Sequence, residues 1–380
     1  MKLKALSSSI IIALLPATGA FAAALDRSGQ SISAFLQPNN YFEAGISVLD
    51  PDVSGTSIAT APKVSDMADD YTMVNAALKL QLTDHFSFGL IYDQPFGAKA
   101  TYKTNDGDLL SGTEVDVQSQ NLSLIFGFQP TENWNIYGGG VYQTVKGSLL
   151  LRGNPLPTAD LAPFYDARYK EDGSAGWLAG IAFQIPDIAL KASLTYRSEI
   201  DHELATQDVI GGGTTLTPSL DTVITTPQSV NLDFQTGIMA NTVAFANVRW
   251  VNWKELDISP ARFIGATNAP LLQYSDDQWS ANVGVGRKLN DQWAGNVSVG
   301  WDSGAGNPVT ALGPTEGYWN VGLGVQFSPA PNYFIAGGVK YFWLGDAKGQ
   351  LATQAGTPAY VAEFKDNNAI AYGLKIGYKF

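Results

Sequence analysis

No cysteine occurs in the chain, and only two histidines, His85 and His202, stand far apart in it. Missing thiols exclude a disulfide scaffold, thiol chemistry and zinc-finger spacing. Two distant imidazoles leave a histidine-based metal or catalytic site little support. Cations are scarce as well: 23 Lys and Arg stand against 35 Asp and Glu, for a net charge of −12. A nucleic-acid partner requires Lys and Arg to replace phosphate counterions, so that class is excluded. Beyond residue 22 no apolar run approaches the ~20 residues that a membrane-spanning helix needs. No nucleophile with a nearby base, no paired catalytic carboxylates and no phosphate-cradling glycine loop emerges, so neither an enzyme nor a cofactor is expected.

What is present is alternation. Ile370, Tyr372, Leu374, Ile376, Tyr378 and Phe380 share one parity, while Ala371, Gly373, Lys375, Gly377 and Lys379 share the other. Successive strand side chains point to opposite faces, which makes this a strand with one apolar side and one small or cationic side. At the other end, Lys2 and Lys4 precede an apolar core from Ile10 to Leu15, then Ala20-Phe21-Ala22. That pattern predicts a secretory signal peptide over residues 1–22, cleaved after Ala22 or Ala23. Near-neutral hydropathy with 39 glycines and 11% aromatics fits a membrane barrel, whose strands alternate between lipid and lumen.

Between these ends one unit repeats: strand, long loop, strand, tight turn. Residues 23–40 are expected to form a short amino-terminal plug, and residues 41–380 an all-β, fourteen-stranded antiparallel transmembrane barrel. The first strand is expected from Tyr41 to Asp50, the third from His85 to Gln94, the sixth from Gly176 to Ile185 and the seventh from Ile188 to Ile200. Short turns on one side and long loops on the other are the bacterial outer-membrane arrangement, with both termini periplasmic. Trp134, Trp279, Trp293, Trp319 and Tyr333 are assigned to the short-turn end. Trp177, Trp250, Trp253, Trp301, Tyr341 and Trp343 are assigned to the opposite interface.

Asp50-Pro51-Asp52-Val53-Ser54-Gly55-Thr56 after the first strand resembles the first external loop of the FadL/TodX type of long-chain fatty acid transporter. Trp279 to Val285, Asn290-Asp291-Gln292-Trp293 and Gly300-Trp301-Asp302-Ser303 are similar to that family's later hairpins. The resemblance implies uptake of hydrophobic compounds, most of all long-chain fatty acids, through the outer membrane of a Gram-negative bacterium. It further implies capture at external loops, an interior site and sideways exit where the third strand is kinked. The kink corresponds to Pro95-Phe96-Gly97, where Pro95 lacks the N–H a ladder needs and Gly97 tolerates unusual backbone angles. The same tripeptide also reads as a plain strand end. The family's longer hatch with an Asn-Pro-Ala segment is matched here only by Gln37-Pro38-Asn39, which puts gating by the amino terminus in doubt.

Parity turns Lys79, Lys191, Arg197, Arg249, Lys288, Lys340, Lys375 and Lys379 inward, against Asp93, Glu199, Asp233 and Asp302. Of these, Lys79, Lys191, Arg197, Arg249 and Lys340 are the candidates for holding a ligand carboxylate through charge-assisted hydrogen bonds. Solvated or mutually paired lumen charges are the plainer reading for any one of them. Leu156, Leu161, Phe164, Tyr165, Ile210 and Leu216 are candidates for an apolar capture surface, or equally for a small lid core. Expected partners are a hydrophobic small molecule, outer-membrane lipid and lipopolysaccharide, and the barrel assembly machinery through Phe380, with the protein a monomer. Open alternatives are a general diffusion porin, a channel for aromatic hydrocarbons or alkanes, and a barrel lipase or acyltransferase. The last needs a Ser, His and acid set that His85 and His202 do not supply.

Overall fold

A strand in hydrocarbon has no water to take up its backbone N–H and C=O groups, so the sheet must close on itself. The computed structural model describes residues 25–58, 63–103, 110–152, 165–211 and 215–380. The expected signal peptide and the loop positions Leu156, Leu161 and Phe164 lie outside the described residues. Fourteen antiparallel strands form the barrel. In order they are β1 (Tyr41–Asp52), β2 (Tyr71–Gln81), β3 (Phe86–Asp93, resumed over Gly97–Thr101), β4 (Glu114–Phe128) and β5 (Trp134–Leu151). Then come β6 (Tyr165–Ile185), β7 (Leu190–Arg197), β8 (Ser229–Met239), β9 (Thr242–Val251) and β10 (Gln278–Lys288). The last four are β11 (Trp293–Asp302), β12 (Tyr318–Ala330), β13 (Tyr333–Leu344) and β14 (Asn368–Lys379). The barrel closes where β1 pairs with β14, from Tyr41 opposite Lys379 to Asp52 opposite Asn368. No helix among the described residues is long and apolar enough to cross a membrane.

The alternation read from the carboxyl-terminal strand holds. Leu374 is 61% exposed on the outer face, whereas Ala371 and Lys375 are buried on the inner one. The aromatic assignment needs correction. Trp279 lies opposite Trp250, and Trp319 lies between Trp301 and Trp343, so both stand at the long-loop end. Each follows a long loop rather than a tight turn, which places it at the opening of its strand on that side. At the short-turn end, Trp134 meets Phe183 and Trp293 meets Phe327, with ring centroids 4.8 and 4.7 Å apart.

β6 begins at Tyr165, well ahead of the expected Gly176. In its first stretch Tyr165, Ala167 and Tyr169 are buried. The charged Asp166, Arg168 and Lys170 alternate with them. The wall continues past the membrane here, so its outer face meets water and its inner face turns apolar. A pattern tuned to lipid outside and polarity inside does not register such a segment. β7 ends at Arg197, and Ile200–Leu204 leaves the wall to pair with Thr222–Thr226. Trp253 also departs from expectation: it is fully buried in a turn after β9.

The amino-terminal segment runs inside the barrel. Ile32, Ala34, Phe35 and Leu36 are buried against Ile125, Tyr137 and Leu178. Phe35 fits because two wall positions lack side chains: a Cβ on Gly89 or Gly127 would come within 2.4 or 2.9 Å of its ring. Apolar packing thus fills one flank of the lumen. The other flank, toward β8–β14, keeps a polar cavity bordered by Asn282, Asn296, Ser298, Lys340 and the exposed Ser31 and Ser33. At the long-loop end, the helix Ala261–Thr267 and short strands from several loops cover the barrel over a core containing Trp253, Phe263, Leu272, Tyr274 and Phe364.

Candidate functional site: a slit in the wall beside an apolar cavity

β3 is where the ladder fails. It pairs with β2 from Gln81 opposite Ser87 up to Ala76 opposite Tyr92, and there the pairing stops. Pairing resumes further along, where Ala68 bridges Ala100 and the Thr101 N–H donates to the Met67 carbonyl at 2.8 Å. The register is the same on both sides, so residues 70–75 and 93–98 border a slit in the wall between β2 and β3. Toward β4 the strand stays attached across a one-residue bulge between Asp93, opposite Asn121, and Gly97, opposite Gln118: Phe96 N–H donates to Ser119 Oγ at 2.9 Å, and Ser119 N–H donates to the Phe96 carbonyl at 3.1 Å. Pro95-Phe96-Gly97 therefore interrupts a strand and does not end it.

Backbone groups released from β2 must find other partners. The amino-terminal segment supplies them from inside. Arg27 N–H donates to the Pro95 carbonyl at 2.6 Å, and Gly97 N–H donates to the Leu25 carbonyl at 2.9 Å. Arg27 Nε donates to the Gly97 carbonyl at 2.8 Å. On the β2 side, Val74 N–H donates to Gln94 Oε1 at 2.9 Å.

Directly inside the slit lies a cavity with about 1190 Å³ of empty space, part of it open to solvent. Phe96, Val115, Val117, Leu256, Leu271 and Tyr274 are among its lining residues. Phe96 meets Trp253 edge-on at 5.4 Å, and Trp253 meets Tyr274 at 5.5 Å. The indole N–H of Trp253 donates to Gln278 Oε1 at 2.6 Å, which fixes the ring. Three charged side chains border the cavity: Asp26, Arg27 and Lys146. Asp26 is held by Arg249, at 2.7 Å to Nε and 3.2 Å to Nη2. Lys146 is half-exposed and faces Glu171 at 3.9 Å. Asp26 borders the polar cavity too, so residues 25–27 partition the two spaces.

A closed barrel with one interrupted strand, an interior segment and a neighbouring apolar cavity has relatives. The family model for Outer membrane protein transport protein (OMPP1/FadL/TodX) matches residues 22–380. The chain belongs to this family. It is an outer-membrane β-barrel of the FadL/TodX type. Its fold is similar to a crystal structure of a Pseudomonas aeruginosa FadL homologue, with a TM-score of 0.74 at 15% identity, covering 96% of this chain and 98% of that one. It is also similar to the Pseudomonas putida toluene transporter TodX, with a TM-score of 0.66 at 13% identity over 96% and 99% of the two chains. In sequence it resembles the long-chain fatty acid transport protein of Escherichia coli O6:H1, at 24% identity over 199 residues. That match covers 46% of this chain and 44% of the relative, less than half the length of either.

Within this FadL/TodX barrel, the expected cations point inward, but mostly onto the amino-terminal segment. Lys79 Nζ donates to the Asn39 carbonyl at 2.8 Å, and Lys191 Nζ to the Leu36 carbonyl at 2.5 Å. Arg197 Nη2 donates to the Gln30 carbonyl at 3.2 Å. Lys340 borders the polar cavity. None of these, nor Arg249, borders the apolar one. Tyr165 is buried at the start of β6, its hydroxyl 3.0 Å from Asp208 Oδ2 and its ring 5.0 Å from Phe263. Ile210 packs against the same core, and Leu216 is half-buried. Among the described loop positions, Tyr165 and Ile210 therefore belong to lid packing and not to an open surface. His202, from the hairpin in the lumen mouth, is buried between Asp172 and Gln143, 3.0 Å from each.

Sequence reasoning missed Arg27 and Trp253. Arg27 sits in a stretch without periodicity. A signal for the cavity did exist: in β4 the apolar parity switches from the outward Leu122, Leu124, Phe126 and Phe128 to the buried Val115. The half-buried Val117, packed on the same core, follows that inward parity.

Proposed function

We propose that the protein takes up hydrophobic compounds across the outer membrane, with long-chain fatty acids as the substrate class, and releases them sideways through the slit between β2 and β3. The observation that carries this reading is the direct contact between the apolar cavity and the interrupted strand, through Phe96, Gly97 and Ala98. Members of the family are transport channels, which supports transport over catalysis. A hydrophobic ligand moving straight on would enter the polar cavity and then aqueous periplasm, losing roughly 0.8 kcal/mol of burial per CH₂. Sideways exit keeps the chain in an apolar medium throughout. The guanidinium of Arg27 in an apolar cavity suits an amphipathic ligand with a carboxylate and favours fatty acids over hydrocarbons.

Cells lacking their own fatty acid channel and expressing this protein should accumulate labelled oleate, while purified protein in planar bilayers should show little steady conductance. Large long-lived channels passing hydrophilic solutes, with no gain in oleate accumulation, would overturn the reading in favour of a porin.

A further inference from the structure

The polar cavity on the β8–β14 flank holds about 1710 Å³ of empty space, part of it open to solvent. Nearly every charge around it is committed. Arg249 holds Asp26, and Lys375 holds Glu43. Asp93 accepts from Ser28 Oγ, Asp233 from the Asn247 amide and Asp302 from the Gln278 amide. Lys191 donates to the Leu36 carbonyl. Lys340 is the exception. It is 7% exposed, and among the described residues it has neither a hydrogen bond nor an ion pair. Along the wall the other charges stand off. Lys340 lies opposite Gly322, while Asp302 lies opposite Tyr318 and Lys375 opposite Ala336, each four residues along and so roughly 13 Å away at strand rise.

What surrounds Lys340 is a glycine floor with donors over it. A Cβ on Gly322 would come within 3.1 Å of Lys340 Cγ and 2.7 Å of Ser298 Oγ. Two residues along β12, a Cβ on Gly324 would come within 2.6 Å of Asn296 Nδ2. Side chains from β11 and β13 thus lean together over β12, and two glycines make the room. Ser298 and Asn296, like Lys340, border the cavity without a side-chain partner among the described residues. An ammonium taken out of bulk water needs an opposite charge or a set of hydrogen bonds. One ammonium, one hydroxyl and one amide match an anion with several acceptor oxygens. Every neighbouring pair of strands from β8 to β14 is hydrogen-bonded, so no lipid headgroup reaches this flank from the side. The apolar cavity does not border Lys340 either.

We propose that Lys340, Ser298 and Asn296 form a binding site for a small hydrophilic oxyanion of the phosphate type, separate from the path of the hydrophobic ligand. The site does not depend on where that ligand leaves the barrel.

The test is equilibrium dialysis of the purified protein against radiolabelled inorganic phosphate, in a neutral detergent and a low-salt buffer. Wild type should bind about one phosphate per barrel, saturably. K340M should lose at least about tenfold in affinity, and S298A should lose several-fold. K340R keeps the charge and should retain most of the binding. G322A puts a methyl group into the floor and should weaken it. Excess oleate should leave phosphate bound. Heat-modifiable gel mobility establishes that each variant is folded, and S298A and G322A carry the test if K340M does not assemble. No saturable binding by folded wild type, or equal binding by K340M, overturns the site. Displacement of phosphate by oleate overturns its separateness, since Lys340 would then serve the transported ligand.

Discussion

Gln94 Oε1 accepts the backbone N–H of Val74 at 2.9 Å, at the rung where the two backbones would meet if β3 ran straight. A side chain there stands in for a missing strand. Removing it as Gln94→Leu leaves the Val74 N–H without its acceptor, at a cost on the order of 1 kcal/mol. The barrel should still assemble, the Val74 amide should exchange with solvent faster than its neighbours on β2, and uptake of a hydrophobic substrate should rise. Unchanged exchange at Val74 would show that the bond does not persist in the membrane.

Restoring the ladder at Pro95 should act in the opposite direction. Pro95→Val returns an N–H, and the slit narrows if β3 can re-pair with β2. Folding and ligand binding are expected to persist while uptake falls several-fold, measured as cellular accumulation of oleate. Gly97 is a poor partner for this repair. A Cβ there would come within 2.7 Å of the Val117 carbonyl oxygen as well as reaching Arg27. Undiminished uptake by a correctly assembled Pro95→Val barrel would sink the sideways route.

The pair Asp26–Arg249 fixes the amino-terminal segment against β9. Both side chains are at most 5% exposed. Asp26→Ala leaves a buried guanidinium without its counter-charge, a change that typically costs about 3–5 kcal/mol. The segment, and not the barrel wall, should yield: residues 25–38 should become sensitive to protease while heat-modifiable mobility is retained. Adding Arg249→Met should recover much of the protection.

Glu316 lies in an external loop, where burial first, and then the negative Asp276 and Asp302, push its carboxyl up to about 7. Its folded pKa exceeds the ordinary value of 4.5, so the neutral acid is the form the fold favours. The resulting penalty is absent below pH ~4.5, grows as pH rises toward 7, and persists above. Glu316→Gln should therefore raise the melting temperature by a few degrees at pH 8 and leave it unchanged at pH 4. An equal shift at both values would show that titration is not the cause.

Legibility followed the solvent. The outward faces of the strands, such as Ile370 to Phe380, could be read because lipid imposes one polarity along their length. The start of β6 escaped because Tyr165 to Tyr169 obey water outside and a core inside, the reverse rule. Parity turned Lys79, Lys191 and Arg197 inward correctly, yet parity says nothing about what stands in the lumen. Their partners are carbonyls of a segment that has no period of its own. The kink at Pro95 was visible as chemistry, while its status as an interruption depended on Ala68 and Ala100 pairing beyond it. Trp253 looked like an interfacial ring because its place after β9 matched that of its neighbours; the turn that folds it inward carries no proline or glycine.

The partition at residues 25–27 gives the apolar cavity two boundaries of different chemistry. Toward the polar cavity stands Asp26, which borders both spaces and is held by Arg249, two buried opposite charges. The boundary toward the bilayer is held on the β2 side by the Gln94–Val74 hydrogen bond, and on the β3 side by Arg27 N–H to Pro95, Gly97 N–H to Leu25 and Arg27 Nε to Gly97. Separating a buried pair costs several kcal/mol, and releasing one hydrogen bond about one. On the proposed uptake route, direction follows from what stands at each boundary: a buried charge pair on one side, hydrogen bonds along a broken ladder on the other.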